Sequence, residues 1–325
     1  MAKSAQHLQE SAIDLTMDTA QLPGREVLDR ETFRQLNVRS DLRGTAHFAA
    51  HLLTIAVTGW LVHATGGAWF LLVPAMMLHG VALVTLFAPM HECTHRTAFR
   101  SRWLNQAVGW IAGVMAFYNS DYYRRYHYWH HRYTQDPARD PELAAPKPRT
   151  MAAYILRLSG LLFWRDKMRD MMAVASGRTA PLPFVPEQMR RRLAWSMRAQ
   201  AALYLLVAVL AVAWNSTAPL VYWLLPLLLG QPVLRAITFA EHTGCSEDAN
   251  GLTNTRTTLT TWPVRFLMWN MPYHAEHHLY PSIPFHALPR AHARLRDRIA
   301  HLDPGYIAVH RAFVRHLSRS APQPG

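Results

Sequence analysis

Cysteine is almost absent from this chain, with Cys93 and Cys245 the only two among 325 residues. That excludes a disulfide framework and the cysteine set that an iron–sulfur cluster needs. A GxGxxG fingerprint is missing as well, so the chain shows no flavin or nicotinamide fold of its own, and any redox chemistry requires an outside electron donor. Acidic residues are scarce: 21 Asp plus Glu face 34 Lys plus Arg, a net charge of +13. Such a balance invites a nucleic-acid reading, but arginine gathered on one face of a membrane protein is explained by topology and anionic lipid, so no nucleic-acid partner is expected. It also suits an acidic protein partner. Residues 1–42 lack the apolar core of a signal peptide and are mixed in charge, which reads as a cytoplasmic N-terminal arm with one or two short helices. Internal repeats and low-complexity tracts are not evident.

Charge itself is missing from long windows. No Lys, Arg, Asp or Glu occurs from Ala46 to Ala64, from Ala68 to Pro89, or from Ala199 to Leu234. The last window breaks at "NSTAP" into two segments, so spans are expected at 46–65, 67–89, 199–213 and 219–240, near the roughly 20 residues a tilted helix needs to cross a bilayer. A soluble bundle is the competing reading of such runs, disfavoured by the uncharged turns inside each pair. "TGG" and "NSTAP" carry no basic residue, whereas Ser120 to Arg198 is crowded with arginine, which places that segment and both termini in the cytoplasm. "LNQAVGWIAGVMAFY", residues 104–118, reads as an interfacial or re-entrant helix rather than a fifth crossing. The histidines of the spans, His51, His63 and His79, read as isolated polar groups within a bundle.

What the chain has in abundance is histidine, 19 residues, concentrated in three short boxes. "HECTH" sets His91 and His95 at i and i+4. "HYWHH" sets His127, His130 and His131, and "HAEHH" sets His274, His277 and His278, at i, i+3 and i+4. One mononuclear site takes three or four protein ligands, so eight imidazoles on three helical turns point to two metals with positions left open. The spans bring all three boxes to one side of the membrane. His91, Glu92 and His95 also spell HExxH, the signature of a zinc protease with Glu92 as base, but that reading leaves six boxed histidines unexplained.

The three boxes with four spans resemble the integral-membrane di-iron fatty acid desaturases and their hydroxylase relatives. The likeness extends through "HECTHRTAFRSRWLN", "HHRYTQDPARDPE", "AEHTGC" and "NMPYHAEHHLYPSIPFHALP", from about residue 45 to 292. It implies an all-α integral membrane fold: four transmembrane helices, an interfacial helix and a cytoplasmic helical cap carrying the di-metal site. It further implies a ninth ligand, His242, to join His91, His95, His127, His130, His131, His274, His277 and His278. Asn270, four residues before His274, is expected to face the same way and to reach a metal-bound water, or else to cap a helix. Glu92, Asp136, Glu241 and Glu276 are candidates, by adjacency, for carboxylates that orient the imidazoles.

On this resemblance the expected activity is O2-dependent desaturation of an acyl chain, held on a lipid or a thioester, by two Fe ions. Hydroxylation by the same superfamily is the alternative, which ligand spacing does not separate. Electrons are expected from a ferredoxin- or cytochrome-type protein docked on the arginines of 124–198, and the preference for arginine over lysine suggests a bacterial cytoplasmic membrane. The membrane and catalytic domain is expected over 43–292 and a basic cytoplasmic tail over 293–325. Within that stretch Leu288, His292, Leu295, Ile299 and Leu302 recur at helical spacing, for a helix either on the bilayer surface or packed on the cap.

Overall fold

A computed structural model describes residues 27–179 and 182–320. Most of the expected N-terminal arm therefore lies outside the described residues; its described part holds one helix, α1 (Arg30–Leu36), opened by the Asp29 carboxylate accepting from Thr32 N.

Four helices are long and apolar enough to cross a membrane. The first, α2 (Asp41–Ala64), starts where the Ser40 hydroxyl accepts from Arg43 N. The second runs from Trp69 to Thr94 as α3 (Trp69–Val84) continued by α4 (Phe87–Thr94). After α5 (Arg102–Met115), α6 (Ser120–Tyr133), α7 (Met151–Leu158) and α8 (Leu161–Ala175) come the third, α9 (Glu187–Ala213), and the fourth, 220–242, which ends as α10 (Leu225–His242). Each of these helices overruns its apolar window. The third, which its uncharged window leaves short, begins at Glu187, because an amphipathic arginine-bearing turn continues the same helix out of the bilayer.

The second and fourth helices form the inner pair, with half of the second's apolar window buried against 11% of the third's. Gly80 and Gly230 make their crossing: a Cβ on Gly80 would lie 1.9 Å from the Pro226 carbonyl oxygen, so the backbones meet where no side chain fits. Histidines tie the spans together. His51 Nε2 meets the Ala82 carbonyl at 2.9 Å, and His79 bonds Thr58 Oγ1 at 2.9 Å and the Tyr222 carbonyl at 3.0 Å. These side chains satisfy backbone and hydroxyl groups between helices, as isolated polar groups in a bundle do. Outward-facing Trp69, Phe70 and Val212 leave an apolar belt for lipid.

α5 buries Val108, Ala112 and Gly113 while Trp103, Trp110 and Ile111 stay exposed, the pattern of a helix lying at the interface. Beyond the fourth span a cap is built from β1 (Arg256–Thr258), α11 (Trp262–Leu267), α12 (His274–Leu279), α13 (Leu288–Leu295), β2 (His301–Asp303) and α14 (Tyr306–Ser320). β1 and β2 pair in parallel, Arg256 opposite His301, a small addition to an otherwise helical chain.

The expected long helix after box three is corrected here. It stops at Leu295; Ile299 follows a tight turn and Leu302 lies in β2. Leu288, Ala291 and Leu295 pack with Leu36, Tyr280 and Ile283, so this segment is core of the cap and not a membrane-surface helix.

Candidate metal centre

The histidines arrive from one end of the bundle's inner pair and from α6 and α12. His91 stands on α4 and His95 directly follows it; His242 is the last residue of α10. His127, His130 and His131 ride on α6, whose start is fixed by Asn119: its Oδ1 accepts from Tyr122 N, and its Nδ2 donates to Gln200 Oε1 on α9 at 2.9 Å. His274, His277 and His278 form α12.

All nine expected histidines converge, in two groups. His91, His95, His127, His131 and His277 place ligand nitrogens within 4.8 Å of one another, and His130, His242 and His278 do likewise. His274 joins the second group, its Nε2 3.2 Å from that of His242 and its ring 4.5 Å from that of His278. The rule behind the split is helical. Residues at i and i+4 are close in azimuth, so 127 with 131, 274 with 278 and 91 with 95 each serve one group; the i+3 residues, 130 and 277, turn to the other. The groups abut where His131 and His278 stack with ring centroids 4.1 Å apart.

The spacing fits metal ions. His127 and His131 approach at 2.9 Å between Nε2 atoms; His131 with His277, His130 with His242 and His242 with His274 each approach at 3.2 Å. Ligand nitrogens about 2.1 Å from one ion and at right angles lie roughly 3.0 Å apart. Moreover, buried Nε2 atoms of His91, His95 and His278 have no hydrogen-bond partner. Each would cost on the order of 1–3 kcal/mol unsatisfied, and an ion would satisfy those that face it.

Electrostatics favour neutral ligands. Burial, reinforced by neighbouring positive groups, holds His95, His127, His131, His274 and His278 well below the ordinary histidine range, and His277 at about 3. His130 differs: burial pushes it down, but the Glu142 and Asp140 carboxylates more than offset that and raise it to about 9.

The outer contacts partly depart from expectation. Glu92 accepts from the Thr97 hydroxyl at 2.9 Å and from Phe285 N at 3.2 Å, and its Oε1 lies 3.9 Å from His277 Nδ1 and 4.0 Å from His91 Nδ1. Glu241 lies 3.6 Å from His274 Nε2. Glu276 turns instead to His292 and Thr257, and Asp136 pairs with Arg139 in an exposed turn, so neither orients a boxed histidine. The carboxylate that does is Asp140, missed in the sequence, 2.9 Å from His130 Nδ1. It also accepts from the backbone N–H of Gln135 and Glu142, which fixes the loop after the box. Neutral partners serve other rings: Tyr123 Oη stands 3.3 Å from His127 Nδ1, Thr134 Oγ1 3.2 Å from His278 Nδ1, and the Asn254 carbonyl 3.3 Å from His242 Nδ1.

Asn270 does not share a helical face with His274. α11 ends at Leu267 and α12 begins at His274, so Asn270 sits in the intervening turn with φ +60°. Its Nδ2 donates to the Phe285 carbonyl at 3.1 Å, and its N–H closes α11 by bonding the Arg265 carbonyl at 2.8 Å. The HExxH reading fares poorly for a related reason: His91 and His95 share their group with three more imidazoles.

Comparison with known proteins gives one consistent answer. The fatty acid desaturase family profile matches residues 67–310. The sn-1 oleoyl-lipid 12-desaturase of Picosynechococcus sp. is 26% identical over 264 residues, covering 76% of this chain and 75% of the relative. Dihydrorhizobitoxine desaturase of Bradyrhizobium elkanii is 26% identical over 268 residues, covering 74% and 71%. The human sphingolipid delta(4)-desaturase/C4-monooxygenase is 27% identical over 269 residues, covering 79% and 74%.

Proposed function

This chain belongs to the fatty acid desaturase family, and from that premise we propose that it removes two hydrogens from adjacent methylenes of a lipid-bound acyl chain, using two iron ions held by its nine histidines. It is an oxidoreductase of a membrane-spanning, histidine-rich class. The observation that carries the reading is the five-plus-four convergence of imidazole nitrogens at the end of the inner helix pair. His91, His95, His127, His131 and His277 would hold one iron, and His130, His242, His274 and His278 the other. Iron in such a nitrogen-rich setting supplies the oxidising power, drawn from O2, to break an unactivated C–H bond.

The residues contribute position and dryness. Asp140 fixes the His130 ring through Nδ1 and leaves Nε2 for metal, and Tyr123 and Thr134 do the same for His127 and His278. Phe87 packs on the His91 ring, and Tyr118 packs on Phe87 and on Tyr123 beside His127, which would help to keep bulk water from the metal ligands. Two of the relatives are named for lipid substrates, which favours an acyl lipid over a soluble thioester. Electrons would come from an acidic ferredoxin- or cytochrome-type donor docking on the basic cytoplasmic face.

Hydroxylation is the second reading, supported by the human relative whose name joins desaturase and monooxygenase. Both outcomes begin with one hydrogen abstraction, so the test is the product. Protein from iron-replete cells should carry close to two irons, and lipids formed under labelled O2 should lose two mass units and gain no label. A labelled hydroxyl as the main product would make the hydroxylase reading correct, and zinc in place of iron would revive the protease.

A further inference from the structure

Carboxylates approach the two histidine groups in two different ways. Asp140 meets the His130 ring at Nδ1, and Glu92 lies 3.9 Å from His277 Nδ1. Each stands behind its ring, because His130 Nε2 faces His242 Nε2 at 3.2 Å and His277 Nε2 faces His131 Nε2 at 3.2 Å. Glu241 and Glu142 come from the other side. Glu241 Oε2 lies 3.6 Å from His274 Nε2, the atom that faces His242 Nε2 at 3.2 Å, and Glu142 Oε2 lies 3.8 Å from His130 Nε2. Both acids thus reach nitrogens turned toward the metal position, where a carboxylate does not orient a ring from behind.

The distances suit ligands of one ion. Donors about 2.1 Å from a metal lie roughly 3.0 Å apart when adjacent and roughly 4.2 Å apart when opposite, and 3.6 and 3.8 Å fall between. Both acids also stand at the group with fewer imidazoles, four rather than five. Their surroundings differ. Glu142 sits in a short turn, 141–143, with its side chain 36% exposed, so water can satisfy it. Glu241 is buried, 9% exposed, on the last turn of α10, and its Oε1 has no hydrogen-bond partner. Arg235 acts on it electrostatically but leaves Oε1 unbonded. A carboxylate so placed at the end of a membrane helix is costly unless charge and bond are both compensated, and a divalent ion beside His274 supplies both.

We propose that Glu241 is a tenth protein ligand, so that the ion of His130, His242, His274 and His278 is bound by nitrogen and oxygen and the other ion by nitrogen alone. The proposal rests on the two-iron reading above and refines it. Carboxylate is a harder donor than imidazole and favours the ferric state, which would make the two ions unequal in their readiness to lose an electron.

The test is anaerobic titration of the metal-free, full-length protein in detergent with Co2+, followed by Mössbauer spectra of the protein loaded with ferrous iron. The unaltered protein should take up two ions and give two doublets of equal area. Glu241→Gln should bind one ion unchanged and the other at least about 10-fold more weakly, since losing a direct contact costs no less than losing an outer partner. One doublet alone should move. Glu142→Gln removes equal charge from nearby without removing a ligand; it should weaken that ion less and leave both doublets in place. Unaltered affinity for both ions in Glu241→Gln, or two doublets that move together, overturns the proposal. Fewer than two ions in the unaltered protein overturns the two-iron reading, and the proposal with it. Should Glu241→Gln fail to fold, infrared difference spectra of the unaltered protein decide: the second equivalent of Co2+ should widen the splitting of the carboxylate stretching bands, as coordination through one oxygen does, and an unchanged splitting counts against the ligand.

Discussion

Asp136 and Asp140 stand four residues apart after the second box, yet their fates are opposite. Asp136 closes an exposed turn with Arg139, while Asp140 is buried, grips His130 Nδ1 and accepts two backbone N–H groups. Asp140→Ala should thus lower iron affinity about 10- to 100-fold, the usual cost of removing a hydrogen-bond partner of a metal-bound histidine. Asp136→Ala should change it by less than about twofold, as surface changes do. Iron titration of the two purified variants checks both statements, and equal losses would mean that the loop as a whole, not the Asp140–His130 bond, sets affinity. The same residue scale explains Arg235, the charge that ends the third uncharged window yet lies inside the fourth span. Its guanidinium donates to Tyr118 Oη at 3.1 Å and lies 4.4 Å from the centre of the Phe163 ring, so a membrane helix carries it without exposing it to lipid.

At the scale of elements, the inner pair must hold the ends of α4 and α10 together, since His91 and His242 leave from them. Gly80 and Gly230 make that approach possible, and the neighbour that an added Cβ would strike is backbone, which has little room to give. Gly80→Leu should destabilise the protein by at least about 1–3 kcal/mol, the ordinary cost of overpacking. Thermal melts against the unaltered protein would register it. An unchanged Tm would show that the helices do not meet there. The small residues matter here because the membrane provides no hydrophobic drive between helices, leaving close van der Waals contact to hold them.

For the whole molecule, helix parity fixes relative sidedness. The turns at 65–68 and 214–219 end the first and third spans, whereas His91, His242, α6 and α12 lie at the opposite end of the bundle. The arginine excess of 120–198 is the basis on which we propose that this end faces the cytoplasm. Reporter tags at residue 145 and after the C-terminus should both be read as cytoplasmic and a tag within 214–219 as external. A split between the first two would break the arrangement that lets α6 and α12 share one metal centre. The cap's core also crosses the sequence from end to end, since Phe33 packs on Tyr280 with ring centroids 5.4 Å apart.

Sequence alone determined the spans and the histidines that converge, because both are written in short-range patterns: an uncharged window long enough for a bilayer, and imidazoles at i, i+3 and i+4 on helical turns. Those patterns pair i with i+4 inside a box and turn i+3 away, but they do not tell which boxes share a group. That was decided by the docking of α6 against α12, which sends 130 and 277 across to the partners of 242 and 91. Asp140, Thr134 and the Asn254 carbonyl were hidden for the same reason: each reaches its ring through a turn or a packed segment, and adjacency in the chain, which singled out Asp136 and Glu276, is a poor guide to where a loop folds back. The helix drawn through Leu288 to Leu302 failed because regular apolar spacing persists across a turn and into β2, so periodicity reports a buried face without reporting one continuous helix.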